Sequence, residues 1–125
     1  MAKAEESTLC KLATANVSLA STGQTTTYTV PVGKRLVIDS LVPEMGADAG
    51  ASVITCGQVG ALTDFLPATT LTNLNAQYAT ATLRPIPNTT PLKQVSYAAG
   101  TVIQVDVTTA VGGATNAFKL FGFLY

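Results

Sequence analysis

The segment Thr25–Leu41 has the most informative pattern of apolar and polar residues in the chain. Two runs rich in β-branched residues flank Pro31-Val32-Gly33, a combination typical of a strand, a tight turn and a second strand. Pro31 has the φ that the second position of a turn requires, and Gly33 can adopt the left-handed conformation that closes a type I turn with a bulge. The pattern predicts an antiparallel hairpin with Pro31 and Gly33 as its structural turn residues.

Short β-like runs separated by turn residues continue along the rest of the chain. Their alternation of period two predicts further strands over residues 12–20, 52–59, 77–83, 92–97, 101–108 and 118–125. Residues 64–67 are predicted to be a turn or an irregular piece, and the strands 92–97 and 101–108 to pair around Ala98–Gly100. About eight strands at this spacing, without an apolar stripe of helical period, predict a single all-β sandwich.

The chain has 125 residues, which is the length of one domain. Its first eight residues are polar and aperiodic, so residues 1–11 are predicted to be an N-terminal arm that becomes ordered only against another surface. Residues 12–125 are assigned to a single sandwich domain. The chain opens with polar and acidic residues, so no secretory signal is predicted. No window approaches the roughly 18 consecutive apolar residues of a membrane-spanning helix, so none is predicted.

Charge is scarce in this chain. Charged residues make up 11% of the sequence, and seven basic residues balance seven acidic ones, so there is little attraction for nucleic acid or for an anionic membrane. A net charge of zero also favours association. Composition leaves two interpretations open: a surface covered by other copies or by a partner, and a monomer kept soluble by its Thr, Ser, Asn and Gln residues.

Side chains for catalysis are sparse. The chain has no histidine, which excludes Ser-His and Cys-His nucleophiles. Asp39 and Asp106 both lie in predicted strands and could meet across a sheet, but acids in strands usually face solvent or pair with a base. Cys10 and Cys56 are far apart and are expected to be reduced. We therefore predict no enzyme, no cofactor and no metal site.

The closing strand is apolar on both faces. Phe121, Phe123 and Tyr125 share one face by alternation, and Leu120 and Leu124 share the other. Such a strand is either buried inside the sandwich or covered by a neighbouring subunit. Phe121, Phe123 and Tyr125 are therefore candidate subunit-interface residues.

Three patches of the sequence, in this order, resemble small jelly-roll proteins of bacteriophages. They are Tyr28–Ile38, with its Pro-Val-Gly turn, Ala99–Val105, with a Gly-Thr lead-in, and Leu120–Leu124, with a central glycine. The resemblance implies an antiparallel jelly roll and a capsid decoration (cement) protein. It also implies a homotrimer on the exterior of a virion made in the host cytoplasm, with the major capsid protein as partner and no catalytic residues.

Within this interpretation, the arm is the candidate partner-contact segment, through Lys3, Glu5, Glu6 and Leu9. Two other functions stay open: a carbohydrate-binding sandwich of receptor-binding or adhesin type, and a structural component of a phage tail or head–tail junction. Exposed tyrosines clustered beside Asn or Asp would favour the sugar-binding module. A large apolar patch shared between identical chains would favour decoration.

Overall fold

The computed structural model describes residues 9–85 and 94–125, and every regular element within these ranges is a β-strand. The eight strands are β1 (Cys10–Val17), β2 (Gly23–Thr29), β3 (Leu36–Met45), β4 (Val53–Gln58), β5 (Ala61–Thr70), β6 (Ser96–Tyr97), β7 (Val102–Thr109) and β8 (Asn116–Leu124). They form sheet A, in the order β1-β8-β3-β6, and sheet B, in the order β2-β7-β4-β5. All pairings are antiparallel. The predicted all-β sandwich of about eight strands is confirmed.

The core lies between the two sheets and is built from alternate residues of the central strands. In β7, Ile103, Val105 and Val107 are almost completely buried, whereas Gln104 and Asp106 between them are partly accessible. This is the alternation that the sequence predicts. Because burial of a large aliphatic side chain contributes about 1.5–3 kcal/mol, these inward faces determine which side of each strand meets the other sheet.

The predicted hairpin around Pro31–Gly33 is wrong. Strand β2 pairs with β7 in sheet B, whereas β3 pairs with β8 and β6 in sheet A. The connection between β2 and β3 therefore crosses from one sheet to the other. The predicted pair around Ala98–Gly100 is wrong for the same reason, because β6 and β7 lie in different sheets. Alternation indicates which face of a strand is buried, but not which strand lies beside it.

The turn between β2 and β3 is tight, as predicted, but its type differs. The Lys34 N–H donates to the Pro31 carbonyl at 3.2 Å, so Pro31 is the first residue of the turn and not the second. Gly33 is then the third residue, and its φ of 77° is that of a type II turn. The left-handed conformation of Gly33 is confirmed, and the predicted type I turn is wrong.

Three other predicted segments differ in the structure, and the first strand starts earlier than predicted. Residues 64–67, predicted to be irregular, belong to β5, and β-bulges shift the register of its pairing with β4 in this region. The predicted strand 77–83 makes only isolated bridges, from Thr80 to Glu44 and from Leu83 to Leu41. Of the predicted strand 92–97 only β6 is regular, and residues 92 and 93 lie outside the described residues. Strand β1 begins at Cys10, within the segment assigned to the arm.

Replacing Gly33 by Val tests the turn. A Cβ added at Gly33 would have no atom within 4 Å apart from those of Gly33 and its two chain neighbours, so the change acts through backbone strain at positive φ. We expect the free energy of unfolding to fall by about 1–2 kcal/mol, measured by urea denaturation. Val32→Ala, at the adjacent and 95% exposed position, is the control and should leave the midpoint unchanged. An unchanged midpoint for Gly33→Val would contradict the assigned conformation.

Candidate interaction surface

The outward face of sheet A carries Phe121 and Phe123. Strand β8 lies between β1 and β3, and its alternate residues Phe118 and Leu120 are completely buried against sheet B. Because side chains alternate across a strand, Phe121 and Phe123 point away from the core, and both are half-buried. Phe123 lies opposite Val37 of β3, which is also half-buried. The three side chains form an apolar row on this face.

Tyr125 follows β8 and continues its pairing with the β3 side of the sheet. Its backbone exchanges two hydrogen bonds with Arg35, at 2.7 and 3.1 Å. Its hydroxyl lies 2.6 Å from the Ser96 hydroxyl in β6, and the Arg35 guanidinium also donates to Ser96. Tyr125 is 54% exposed. It therefore links the end of β8 to β6 and leaves much of its ring accessible.

Two ion pairs lie on the strands that carry the apolar row. Lys119 of β8 pairs with Glu44 of β3 at 3.6 Å, and Arg84 pairs with Asp39 of β3 at 3.4 Å. An apolar centre bordered by polar groups is typical of protein interfaces. The assignment of Phe121, Phe123 and Tyr125 to a subunit interface stays a prediction.

A polar cluster that the sequence did not predict lies between the sheets. The Asp64 carboxylate, on a bulge of β5, accepts a hydrogen bond of 2.8 Å from the Tyr97 hydroxyl and one of 2.7 Å from the Gln58 amide side chain. Burial raises the pKa of Tyr97 well above its ordinary value, and the hydrogen bond and negative charge of Asp64 raise it further. Since Tyr97 belongs to sheet A and Asp64 to sheet B, the bond links the two sheets. Its sequence signal was hidden because Asp64 lies in a stretch predicted to be a turn.

The surroundings of Asp64 suit a structural role. A small cavity beside it, lined in part by Ile38, Phe65 and Gln94, has a volume of about 10 Å³, which is about the space one water molecule needs. Within residues 9–85 and 94–125, no group of three or more His, Cys, Asp or Glu side chains is placed to hold a metal ion. The other acids that were considered, Asp39 and Asp106, lie in different sheets and are not brought together.

The exposed tyrosines are far apart. Tyr78 is 72% exposed and Tyr125 is 54% exposed. The backbone of Tyr78 is bonded to Met45, at the end of β3, and that of Tyr125 to Arg35, just before its start. Ten residues of strand span about 30 Å, so these two rings do not form one platform. Tyr97 is buried and Tyr28 half-buried.

Comparison with known proteins finds a similar fold among solved structures. No protein-family model matches the chain, and no curated protein matches it. Among solved structures it is similar to a chain of the cyanophage Pam1 capsid asymmetric unit, with a TM-score of 0.51 and 14% sequence identity. The alignment covers 94% of this chain and 86% of that one. At this identity the likeness shows a shared fold. Among the described residues, no helix has the length and apolar character to cross a membrane.

The two cysteines should differ in reactivity. Both are free, with Cys10 exposed on β1 and Cys56 buried on β4 in the other sheet. Burial raises the pKa of Cys56 to about 12, and the charge of Asp64 adds to the effect. With a thiol reagent at pH 8 we expect one reactive thiol in the native protein and two after denaturation without reductant. Finding none in the denatured, unreduced protein would mean that the cysteines are bridged.

Replacing Tyr97 by Phe removes the hydroxyl that binds Asp64. We expect the free energy of unfolding to fall by about 1–2 kcal/mol in urea denaturation, because the acceptor is charged. Since the pKa of Tyr97 is raised on folding, this stabilisation is complete below about pH 10, the ordinary tyrosine pKa, and is lost as the pH rises further.

Tyr125→Phe is the matched control for that variant, since the Tyr125 hydroxyl also has a partner but is exposed. It should cost less than about 0.5 kcal/mol. Equal losses in the free energy of unfolding would show that the hydrogen bond between the sheets stabilises the fold no more than the exposed one of Tyr125 does.

Proposed function

We propose that this protein is a non-enzymatic structural protein of a phage virion that decorates and stabilises the outside of the capsid. The observation that carries the proposal is the extent of the likeness to the cyanophage capsid chain, which takes in 94% of this chain. The whole sandwich, and not a fragment of it, aligns with a chain from a capsid. A protein of this kind works through contact area between proteins and needs no catalytic group.

The strand pairing supports a jelly-roll topology. A jelly roll is an eight-stranded double sheet built from two Greek keys. Here β1 pairs with β8, β2 with β7, β3 with β6 and β4 with β5. Every connection except the one between β4 and β5 passes from one sheet to the other. This is the arrangement obtained when one long hairpin is rolled up, and we propose it as the fold type.

We propose a homotrimer in which the outward face of sheet A packs against the next copy. The support is the apolar row of Val37, Phe121 and Phe123, half-buried in a chain whose net charge is zero. Low charge reduces repulsion between identical copies, and the apolar row offers area that a neighbour can bury.

The arm is the second contact that we propose, with the major capsid protein as its partner. Its candidate contact residues Lys3, Glu5 and Glu6 lie outside the described residues, and Leu9, the first described residue, is 43% exposed. An arm of about ten residues can reach about 30 Å when extended. That length is enough to lie in a groove of a neighbouring protein or to add a strand to it.

The two alternative functions have less support. The sugar-binding interpretation calls for clustered exposed tyrosines, but Tyr78 and Tyr125 lie at opposite ends of β3. The tail or head–tail alternative involves the same kind of protein contact at another place on the particle. Labelling the protein and locating it on virions by electron microscopy distinguishes this alternative from capsid decoration.

Deleting residues 1–9 tests the proposed function. Since β1 begins at Cys10, the truncated chain should keep its strand circular dichroism and lose less than about 1 kcal/mol of stability. Its attachment to capsids, measured by co-sedimentation, should weaken, while the intact chain co-purifies with particles at a fixed copy number. Equal binding by both forms would exclude a role for the arm. An intact chain without affinity for any capsid would overturn the proposed function.

A further inference from the structure

One end of the sandwich gathers most of the exposed large apolar side chains. Among the described residues six such side chains are exposed, and four of them lie at this end: Leu9 (43%), Val32 (95%), Val59 (58%) and Tyr125 (54%). The end is formed where β2, β4, β6 and β8 finish and where β1, β3, β5 and β7 begin. We call this surface the turn end and define it as Leu9, residues 31–35, 59–60 and 98–101, and Tyr125.

The turn end is held together by backbone hydrogen bonds between its segments. The Val59 N–H donates to the Val102 carbonyl at 3.0 Å, next to the loop that precedes β7. Val30 exchanges hydrogen bonds of 2.9 Å with Gly100 and Thr101, which fixes the base of the turn that carries Val32. The two backbone hydrogen bonds between Arg35 and Tyr125 hold the last segment of the turn end in place. Such a preformed surface loses little conformational entropy when it binds.

The valines at the tips are unusual for turns. Turn positions favour Gly, Asn, Asp, Ser and Pro, whose backbone preferences or side-chain hydrogen bonds suit the bend. Val32 and Val59 have neither advantage, and their exposure means that they add almost nothing to the core. Positions where a local rule is broken without a gain in folding are expected to serve function. At the opposite end, the loop 46–52 follows the rule, with Gly46, Asp48 and Gly50, and Val111 is the exposed valine of the described loops there.

The position of Leu9 indicates what the turn end meets. Leu9, the first described residue, is 43% exposed at this end, and residues 1–8 are covalently attached to the sandwich through it. The contact that we propose between these residues and the capsid is therefore tethered at the turn end. Four exposed apolar side chains lie here, so the fitting partner is an apolar protein surface.

We propose that the turn end is the surface that docks onto the capsid shell, with Val32 and Val59 as its apolar anchors. This inference rests on the proposed function and specifies which end of the sandwich faces the shell. Each anchor is buried in an apolar site of the shell protein, while the outward face of sheet A remains available to the neighbouring copies. The arm and the turn end then bind the same partner side by side.

The test uses the full chain and three variants: Val32→Ser, Val59→Ser and the double variant. Val111→Ser is the matched control, because Val111 is 58% exposed, like Val59, but lies between β7 and β8 at the opposite end. Each protein is titrated onto empty shells of the major capsid protein encoded in the same genome, and its oligomeric state is measured by sedimentation. Thermal midpoints confirm that the variants are folded.

We expect each anchor variant to weaken shell binding by about tenfold, since full burial of a valine side chain is worth about that factor. The double variant should lose more, the control should bind like the unchanged protein, and the oligomeric state should stay the same. Unchanged binding by the double variant overturns this inference and leaves the proposed function standing. Loss of the oligomer in the anchor variants also overturns it, because the turn end would then join copies. Absence of binding by the unchanged protein overturns the proposed function and this inference with it.

Discussion

The pairing of β3 with β8 in the middle of sheet A is the interaction on which the rest of the structure depends. It joins residues 36–45 to residues 116–124 along the whole length of both strands. Strand β1 has only β8 as its neighbour in the sheet, and β6 has only β3. Each outer strand therefore pairs with one member of this central pair and with no other strand of sheet A. The contact is also tight: a Cβ added at Gly122 would lie 2.6 Å from the Val37 carbonyl oxygen, so only glycine fits there.

The two sheets are joined by apolar packing and by one well-connected polar link. Most of the core side chains belong to aliphatic residues, which pack without direction and allow the sheets to adjust to each other. The bond between Tyr97 and Asp64 is directional and connects a short edge strand of one sheet to a bulge in the other. A carboxylate that is partly removed from water would be costly without hydrogen-bond partners. Here Gln58 supplies the second donor, so the link adds specificity to the alignment of the sheets.

The proposed contacts of this protein lie on different parts of its surface. The apolar row is on the outward face of sheet A, and the turn end lies at the strand termini, so one copy can meet a neighbouring copy and a shell at the same time. Of the candidate interface residues, Tyr125 alone also belongs to the turn end. The net charge of the chain is zero, which suits contacts formed by area and shape. The ionic pairs that do exist, such as Lys119 with Glu44, lie at the surface and contribute little to stability.

Much of the fold follows from the sequence alone because the alternation of side chains is local. The pattern of Ile103, Val105 and Val107 identifies an inward face, and Gly33 marks a left-handed turn, since both depend only on neighbouring residues. The candidate surface was reached in the same way, because alternation puts Phe121 and Phe123 on one face of β8. The sheet in which each strand lies was decided only by tertiary structure. The turn that starts at Pro31 has the residues of a hairpin, yet it connects two sheets, because β2 pairs with β7 and β3 pairs with β8. Asp64 shows the same limit, since Tyr97, which donates a hydrogen bond to it, is 33 residues away in the chain.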